Sequence, residues 1–270
     1  MLETEMRNEA STHLDKMDTL SMVTLINKEN INAVKAIEAA LPDIAKVCDI
    51  AAKRFSEGGR IFYIGAGTSG RLGIIDAAEC PPTFGVSSER VVGIIAGGEK
   101  CVSHAGEGNE DSREDGIKDI KAHDICEKDV VIGISAAGGA DYVVGALEYA
   151  NSVGAYTVSI SNNADTKIEK IAKSSIIART GAEVLTGSTR MKAGTSQKII
   201  LNMISTSVMV KQGYVYENMM INLKPSNKKL HDRVIRIVCE IKKCGYDEAV
   251  TLLDKNDWDI RKVAEDDGKE

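Results

Sequence analysis

The stretch Arg60-Ile61-Phe62-Tyr63-Ile64-Gly65-Ala66-Gly67-Thr68-Ser69-Gly70-Arg71 decides the fold. An apolar run, Arg60–Ile64, enters a glycine-rich turn, and a helical pattern leaves it around Ser69–Glu79. Four more short apolar runs follow, at Arg90–Ile95, Asp129–Ser135, Ala155–Ile160 and Ser175–Ala178. Between them the spacing predicts helices around Asp111–Lys121, Ala140–Val153 and Thr166–Ala172. Strands that alternate with helices build a parallel sheet covered on both faces. The runs are nearly continuous Val and Ile, as strands buried on both sides require. The expected fold class is therefore α/β, with a parallel five-stranded sheet.

Outward from this unit, residues 19–58 read as helices. Ile31, Val34, Ile37 and Leu41 recur at helical spacing, Pro42 opens a second helix, and Gly58-Gly59 stops it. Residues 1–18 read as a flexible or partner-wrapping arm. Residues 189–212 predict a long apolar helix, either central core or an oligomer interface, with Ile200, Met203 and Ile204 expected at or near a twofold contact. Residues 226–270 are charged and helical in pattern, with a break at Gly245-Tyr246-Asp247 and the single tryptophan at Trp258. The expected organisation is an N-terminal helical arm (1–58), a central domain (59–225) and a small helical appendage (226–270).

Composition excludes several functions. Of the 270 residues, 43% are hydrophobic and 27% charged, a globular balance that rules out general disorder. The formal net charge of -6 gives no global field for nucleic acid or an anionic membrane, so an anionic ligand needs a local positive site. The longest apolar stretch, Ile199–Val210, is broken by Asn202, Ser205, Thr206 and Ser207 and is too short to span a bilayer. The N-terminal segment lacks the basic-then-apolar pattern of a signal peptide. Six scattered cysteines, with no C-x-x-C pair and no zinc-finger spacing, point to reduced thiols in a cytoplasmic protein. His13, His104, His123 and His231 form no triad or ligand pattern with any Ser or Cys, and each reads as structural or exposed.

Three segments could hold an anion. In the first, the backbone N–H groups around Gly67, Thr68 and Ser69 open a helix, and two hydroxyls stand beside them. Read locally, this is either a phosphate cradle or a plain tight β–α turn. No Gly-Lys-Ser/Thr follows, so it is not a P-loop, and the next strand ends in no acidic residue to hold a ribose. A second turn, Ser135-Ala136-Ala137-Gly138-Gly139-Ala140, offers only the Ser135 hydroxyl. A third, Thr186–Thr195, carries Ser188, Thr189, Arg190 and Lys192 and reads equally as an anion site or as a helix cap with solvated charges.

Two carboxylate segments could supply acid–base chemistry. In Asp76-Ala77-Ala78-Glu79-Cys80-Pro81-Pro82, the proline pair is expected to stop the helix. Glu79 would then stand near a helix C-terminus, where the macrodipole disfavours negative charge. Around Glu110, the run Glu107–Asp115 reads as the acidic start of a helix or as a functional cluster.

Across Gly65–Gly85, Ile95–Gly116, Gly181–Lys198 and Asn227–Arg233 the chain resembles the sugar isomerase (SIS) superfamily and, within it, the N-acetylmuramic acid 6-phosphate etherase family. The segments ECPPTFG, EDSRE and TGSTRMKAGT carry the resemblance. It implies a flavodoxin-like three-layer sandwich and a homodimer with its active site close to the subunit interface. It also implies cleavage of the D-lactyl ether of a sugar phosphate, without metal or organic cofactor. Glu79 matches the family's proton donor and Glu110 its second acid/base. The implied phosphate handle is held by Gly67, Thr68 and Ser69, with help from Ser135, Ser188, Thr189 and Lys192.

The chain departs from the family's pattern after the third strand. A Ser-Gly-Arg-Thr-type stretch is replaced by Ala137-Gly138-Gly139-Ala140, which removes two hydroxyls and a cation. The appendage also reads as shortened. Two other functions compete with the etherase: a non-catalytic sugar-phosphate-binding regulator and an aldose–ketose isomerase. The paired carboxylates favour the etherase over the regulator, and ECPPTFG with EDSRE favours it over the isomerase.

Overall fold

The computed structural model describes every residue except Glu107, Lys224, Ser226, Asn227 and residues 266–270. The first residue of the acidic run, the first residue of the Asn227–Arg233 segment and both ends of the appendage thus lie outside the described residues.

Strands β1 (Ile61–Gly65), β2 (Val91–Ile95), β3 (Val130–Ile134), β4 (Tyr156–Ser161) and β5 (Ser174–Ile177) form one parallel sheet in the order β2-β1-β3-β4-β5. Every residue of β1 and β3 is buried, as expected for strands with helices on both faces. Side chains of β1 alternate between two cores. Ile61 and Tyr63 join α1 (Thr19–Glu38), α2 (Leu41–Ser56), α3 (Gly67–Phe84) and α8 (Lys192–Lys211). Phe62 and Ile64 join α5 (Arg113–Lys121), α6 (Asp141–Ser152) and α7 (Lys167–Ile171). A short α4 spans Lys100–Ser103, and a hairpin, β6 (Val215–Tyr216) with β7 (Met219–Met220), follows α8. Helices α9 (Lys228–Lys242), α10 (Tyr246–Lys255) and α11 (Ile260–Glu265) share a third apolar cluster that includes Val234, Val238 and Leu253. Among the described residues no helix is long and apolar enough to cross a membrane.

Three expectations are corrected. The arm is packed on its own chain: Thr4 is fully buried, and Glu3 pairs with Arg179. A polar composition suggested mobility, but the arm's polar groups find fixed partners. Helix α8 takes the core alternative: Ile200 and Ile204, expected near a twofold contact, are fully buried inside the protomer, while Met203 is half-buried. Helix α3 does not stop at its proline pair but runs through Pro81 and Pro82 to Phe84. Proline fixes φ near a helical value, so the chain stays helical through the pair although Pro81 and Pro82 donate no bond to the preceding turn. That turn closes by Gly85 N–H donating to the Pro81 carbonyl (2.9 Å), with Gly85 at φ 65°. Asn222 Nδ2 donates to the Phe84 carbonyl (2.6 Å) and covers the end.

The mouth of β3 is tied to β1 by Asp129, which is 1% exposed. Its carboxylate accepts from Arg60 Nε (3.2 Å), from the other Arg60 guanidinium arm (2.8 Å) and from the N–H groups of Arg60 (2.9 Å) and Cys126 (3.0 Å). Burial raises the carboxyl pKa, but these bonds and the Arg60 charge prevail, and it sits below the usual Asp value. A lowered carboxyl pKa stabilises the fold above the unfolded value and loses that contribution as pH falls through the folded one. Asp129→Ala is expected to cost about 3 kcal/mol in urea unfolding at pH 7, because it strands the Arg60 charge. The gap to the wild type should narrow as pH falls below about 4.

Candidate active site

A cavity of about 350 Å³ opens at the carboxyl ends of β1 and β3, where the strand order reverses. Such switch points are where open α/β sheets bind ligands. Glu5, Thr68, Ser69, Glu110, Ser135 and Thr189 line it. A second recess of about 300 Å³ shares Ala66, Gly67 and Glu110 with the first and adds Arg71.

The first wall is built by the turn from β1 into α3. A Cβ on Gly70 would stand 2.6 Å from the Gly65 carbonyl oxygen, so only glycine allows the helix to start this close to the strand. Gly67 takes φ +53°. The N-cap residue Ala66 has no side-chain oxygen to offer, so the first N–H groups of α3 stay free to meet an anion. Helix α6 also starts without a side-chain cap, at Ala140, which lines the same cavity. Two helix N-termini thus supply the local positive character that a chain of net charge -6 lacks globally.

The turn after β3 adds Ser135, 8% exposed, whose Oγ accepts from the Gly138 N–H at 3.0 Å. Ala137 and Ala140 face the cavity, so the departure from the family's pattern lies in its wall.

The third segment contributes less than its composition implied. Gly187 and Thr189 line the cavity; Ser188 does not. The N–H groups of Lys192 and Ala193 at the start of α8 are already spent on the buried Glu183 carboxylate (3.1 and 2.9 Å). Lys192 is 2% exposed, and its Nζ donates to Glu29 (2.7 Å) and to the Ala182 carbonyl (2.7 Å). Burial pushes the Glu29 carboxyl up, but the Lys192 bond and charge outweigh this and hold it below the usual value. Lys192 therefore fastens α1 to α8 and is no part of the cavity lining.

The two carboxylates also part. Glu110 lies in a 3-10 turn, Asn109–Asp111, at the rim shared by both recesses. The turn is steadied by Asn109 Nδ2 donating to Cys101 Sγ (3.3 Å) and by Ser112 capping α5. Glu79 is exposed on α3, twelve residues beyond Gly67, and lines neither recess. Helical rise puts it roughly 18 Å along the axis from the uncapped start of α3. One protomer thus brings together Gly67, Thr68, Ser69, Ser135, Thr189 and Glu110, and leaves Glu79, Ser188 and Lys192 outside.

Two residues escaped the sequence reading. Glu5 lines the cavity from the N-terminal arm, with no local pattern to announce it. Gln197, 1% exposed, lies beneath it. Ser69 Oγ donates to Gln197 Oε1 (2.9 Å), and Gln197 Nε2 donates to Asn162 Oδ1 (3.0 Å). The signal for Gln197 was a polar pair, Ser196-Gln197, inside an apolar helix. Among the described residues no three His, Cys, Asp or Glu side chains converge on a metal position.

Solved structures share this architecture. A protein of E. coli CFT073, solved in complex with a ligand, superposes with TM-score 0.54 at 16% identity, covering 75% of this chain and 97% of that one. A phosphoheptose isomerase from Francisella tularensis gives TM-score 0.53 at 15% identity, covering 72% and 100%. Residues 43–151 match the family described as the glucokinase regulatory protein N-terminal SIS domain. The chain is an α/β protein of the SIS fold. It is 50% identical over 96% of its length to the N-acetylmuramic acid 6-phosphate etherase of Clostridium beijerinckii, covering 86% of that protein. It is 46% identical to that of Halalkalibacterium halodurans, covering 97% of each chain. At this identity and coverage, it belongs to the N-acetylmuramic acid 6-phosphate etherase family.

The cavity floor makes a measurable demand. Gln197→Leu removes the partner of the Ser69 hydroxyl and of Asn162 Oδ1. It should lower stability by about 1–3 kcal/mol, the cost of stranding buried polar groups. Ligand affinity should fall with it, because Ser69 loses its fixed rotamer. Urea unfolding and phosphate titration read the two effects separately.

Proposed function

We propose that the chain cleaves the D-lactyl ether of N-acetylmuramic acid 6-phosphate with water, giving N-acetylglucosamine 6-phosphate and D-lactate. The observation that carries this reading is near-full-length kinship at 50% identity with an etherase. The cavity fits it, because two uncapped helix starts and a carboxylate line the same cavity.

In the open-chain sugar, the C2 proton lies beside the C1 aldehyde and is acidified by it. Glu110 takes this proton as base. The lactyl ether oxygen on C3 leaves as its bond breaks and is protonated by Glu79, giving an unsaturated aldehyde. Water then adds at C3. The phosphate does not react; the N–H groups and hydroxyls of Thr68 and Ser69 anchor it, with Ser135 and Thr189 beside them. Positioned acids and bases of this kind contribute roughly 10²–10⁴-fold each.

The distance of Glu79 from the cavity of its own protomer supports a homodimer with shared sites. Helix α1 exposes Leu20, Val23, Ile31 and Val34, and Ile75 on α3 is 53% exposed. A twofold axis passing Ile75 would run two copies of α3 antiparallel. Position 75 is midway between 71 and 79, so the partner's Glu79 would face Arg71 and the rim that carries Glu110. The six thiols, all unpaired, fit a reducing cytoplasm.

Incubation with N-acetylmuramic acid 6-phosphate should release D-lactate. Binding without release would favour a regulator, the reading that the Ala137–Ala140 loop invites, and a ketose product would favour an isomerase. Glu79→Gln and Glu110→Gln should each be nearly inactive alone. Reassembled together, they should recover about a quarter of wild-type activity, because half the dimers then hold one intact site of two. A mixture that stays inactive would show that the sites are not shared.

A further inference from the structure

Among the described residues, Glu110 and Glu5 are the two carboxylates lining the cavity of one protomer, and the chemistry above leaves Glu5 without a task. Its place is built, not incidental. Thr4 beside it is fully buried and grips both ends of the Asn163 amide. The Thr4 N–H donates to Asn163 Oδ1 (3.3 Å), and Asn163 Nδ2 donates to Thr4 Oγ1 (2.9 Å). Asn163 Nδ2 also donates to the Ala136 carbonyl (2.9 Å), so one side chain ties the arm to the cavity wall. On the N-terminal side, Glu3 is held by Arg179. On the C-terminal side, Asn8 Nδ2 donates to Glu29 (2.9 Å) and to the Ala182 carbonyl (3.3 Å). The Glu5 carboxylate lies over Gly187, where an added Cβ would be 3.3 Å from Glu5 Oε2.

An ionised carboxylate only accepts hydrogen bonds. A phosphate dianion and a lactyl carboxylate offer it nothing and are repelled by it. Sugar hydroxyls and an acetamido N–H are donors. We infer that Glu5 contacts the sugar, accepting from a hydroxyl or the amide, and keeps the phosphate on the α3 side of the cavity. It thereby fixes which way the ligand lies. The inference rests on the cavity being a sugar-phosphate site.

The full-length wild type, Glu5→Ala and Glu5→Gln are titrated calorimetrically with N-acetylglucosamine 6-phosphate and with inorganic phosphate. Glu5→Ala is expected to weaken the sugar phosphate roughly tenfold or more, the range for a hydrogen bond to a charged group. Inorganic phosphate should bind Glu5→Ala as well as the wild type, or better. Glu5→Gln should recover part of the loss, because its amide oxygen still accepts. Equal weakening of both ligands would reduce Glu5 to a prop for the wall and overturn the proposal, as would no change in either. Lactate release by the wild type is read separately. Release without the split in affinities overturns the role of Glu5 alone, and the split without release overturns the etherase alone. A wild type that binds neither ligand and releases no lactate overturns both.

Discussion

The close approach of β1 and α3 at Gly65 and Gly70 is the constraint on which the site depends. Backbone touches backbone there, so the helix begins within the span of the strand end and its first N–H groups face the cavity. The turn carries no capping side chain. A cap would satisfy the donors and close the anion site, as Glu183 does at the start of α8. The fold therefore leaves the starts of α3 and α6 open and shuts that of α8, and this choice, more than the number of nearby cations, decides where an anion could rest.

A second dependence runs through the end of β4. Asn162 turns towards α8, donating to Ser196 Oγ (2.8 Å) and receiving Gln197, which in turn receives the Ser69 hydroxyl. Asn163 turns towards the arm and the wall after β3. Two adjacent asparagines thus brace both sides of one cavity. Buried polar chains are costly when incomplete, which fixes the rotamers of their members. That rigidity matters for a ligand whose reacting carbons lie some bonds away from its anchored phosphate.

The sheet was legible because strands buried on both faces must be apolar throughout, and the five runs differ from the observed strands by a residue or two at their ends. The glycine turn was legible for the same reason: its residues are a local requirement. What failed were readings that needed distant partners. Lys192 looked like a ligand handle among hydroxyls, yet its partner Glu29 lies 163 positions away and no local pattern reports the pairing. The arm looked mobile because Asn163, its main anchor, is 159 positions from Thr4. Helix α3 outran its prolines because Asn222, remote in sequence, covers its end. Glu110 was singled out by resemblance, and its place at the cavity rim, on a short turn held by Cys101, was not foreseeable from the acidic run itself.

The division of labour between elements follows from charge. The substrate proposed here carries a phosphate and a carboxylate, and the reaction needs carboxylates of the protein as well. Gathering all of these on one face of an acidic chain would set like charges together with little to offset them. Backbone dipoles at two helix starts avoid this on the phosphate side, because they attract an anion without needing a buried cation that must itself be paired. On the other side, Glu110 and Glu5 stand at an open rim, where water screens them until a ligand arrives. Placing Glu79 on the outer face of α3 takes one more negative charge out of the empty cavity. A site completed only on dimerisation would then bring the last carboxylate beside Arg71, whose guanidinium already bonds the carbonyls of Val102 (3.0 Å) and His104 (2.8 Å). Those two bonds fix the guanidinium at the edge of the second recess, so the cation is in place before the carboxylate it would balance.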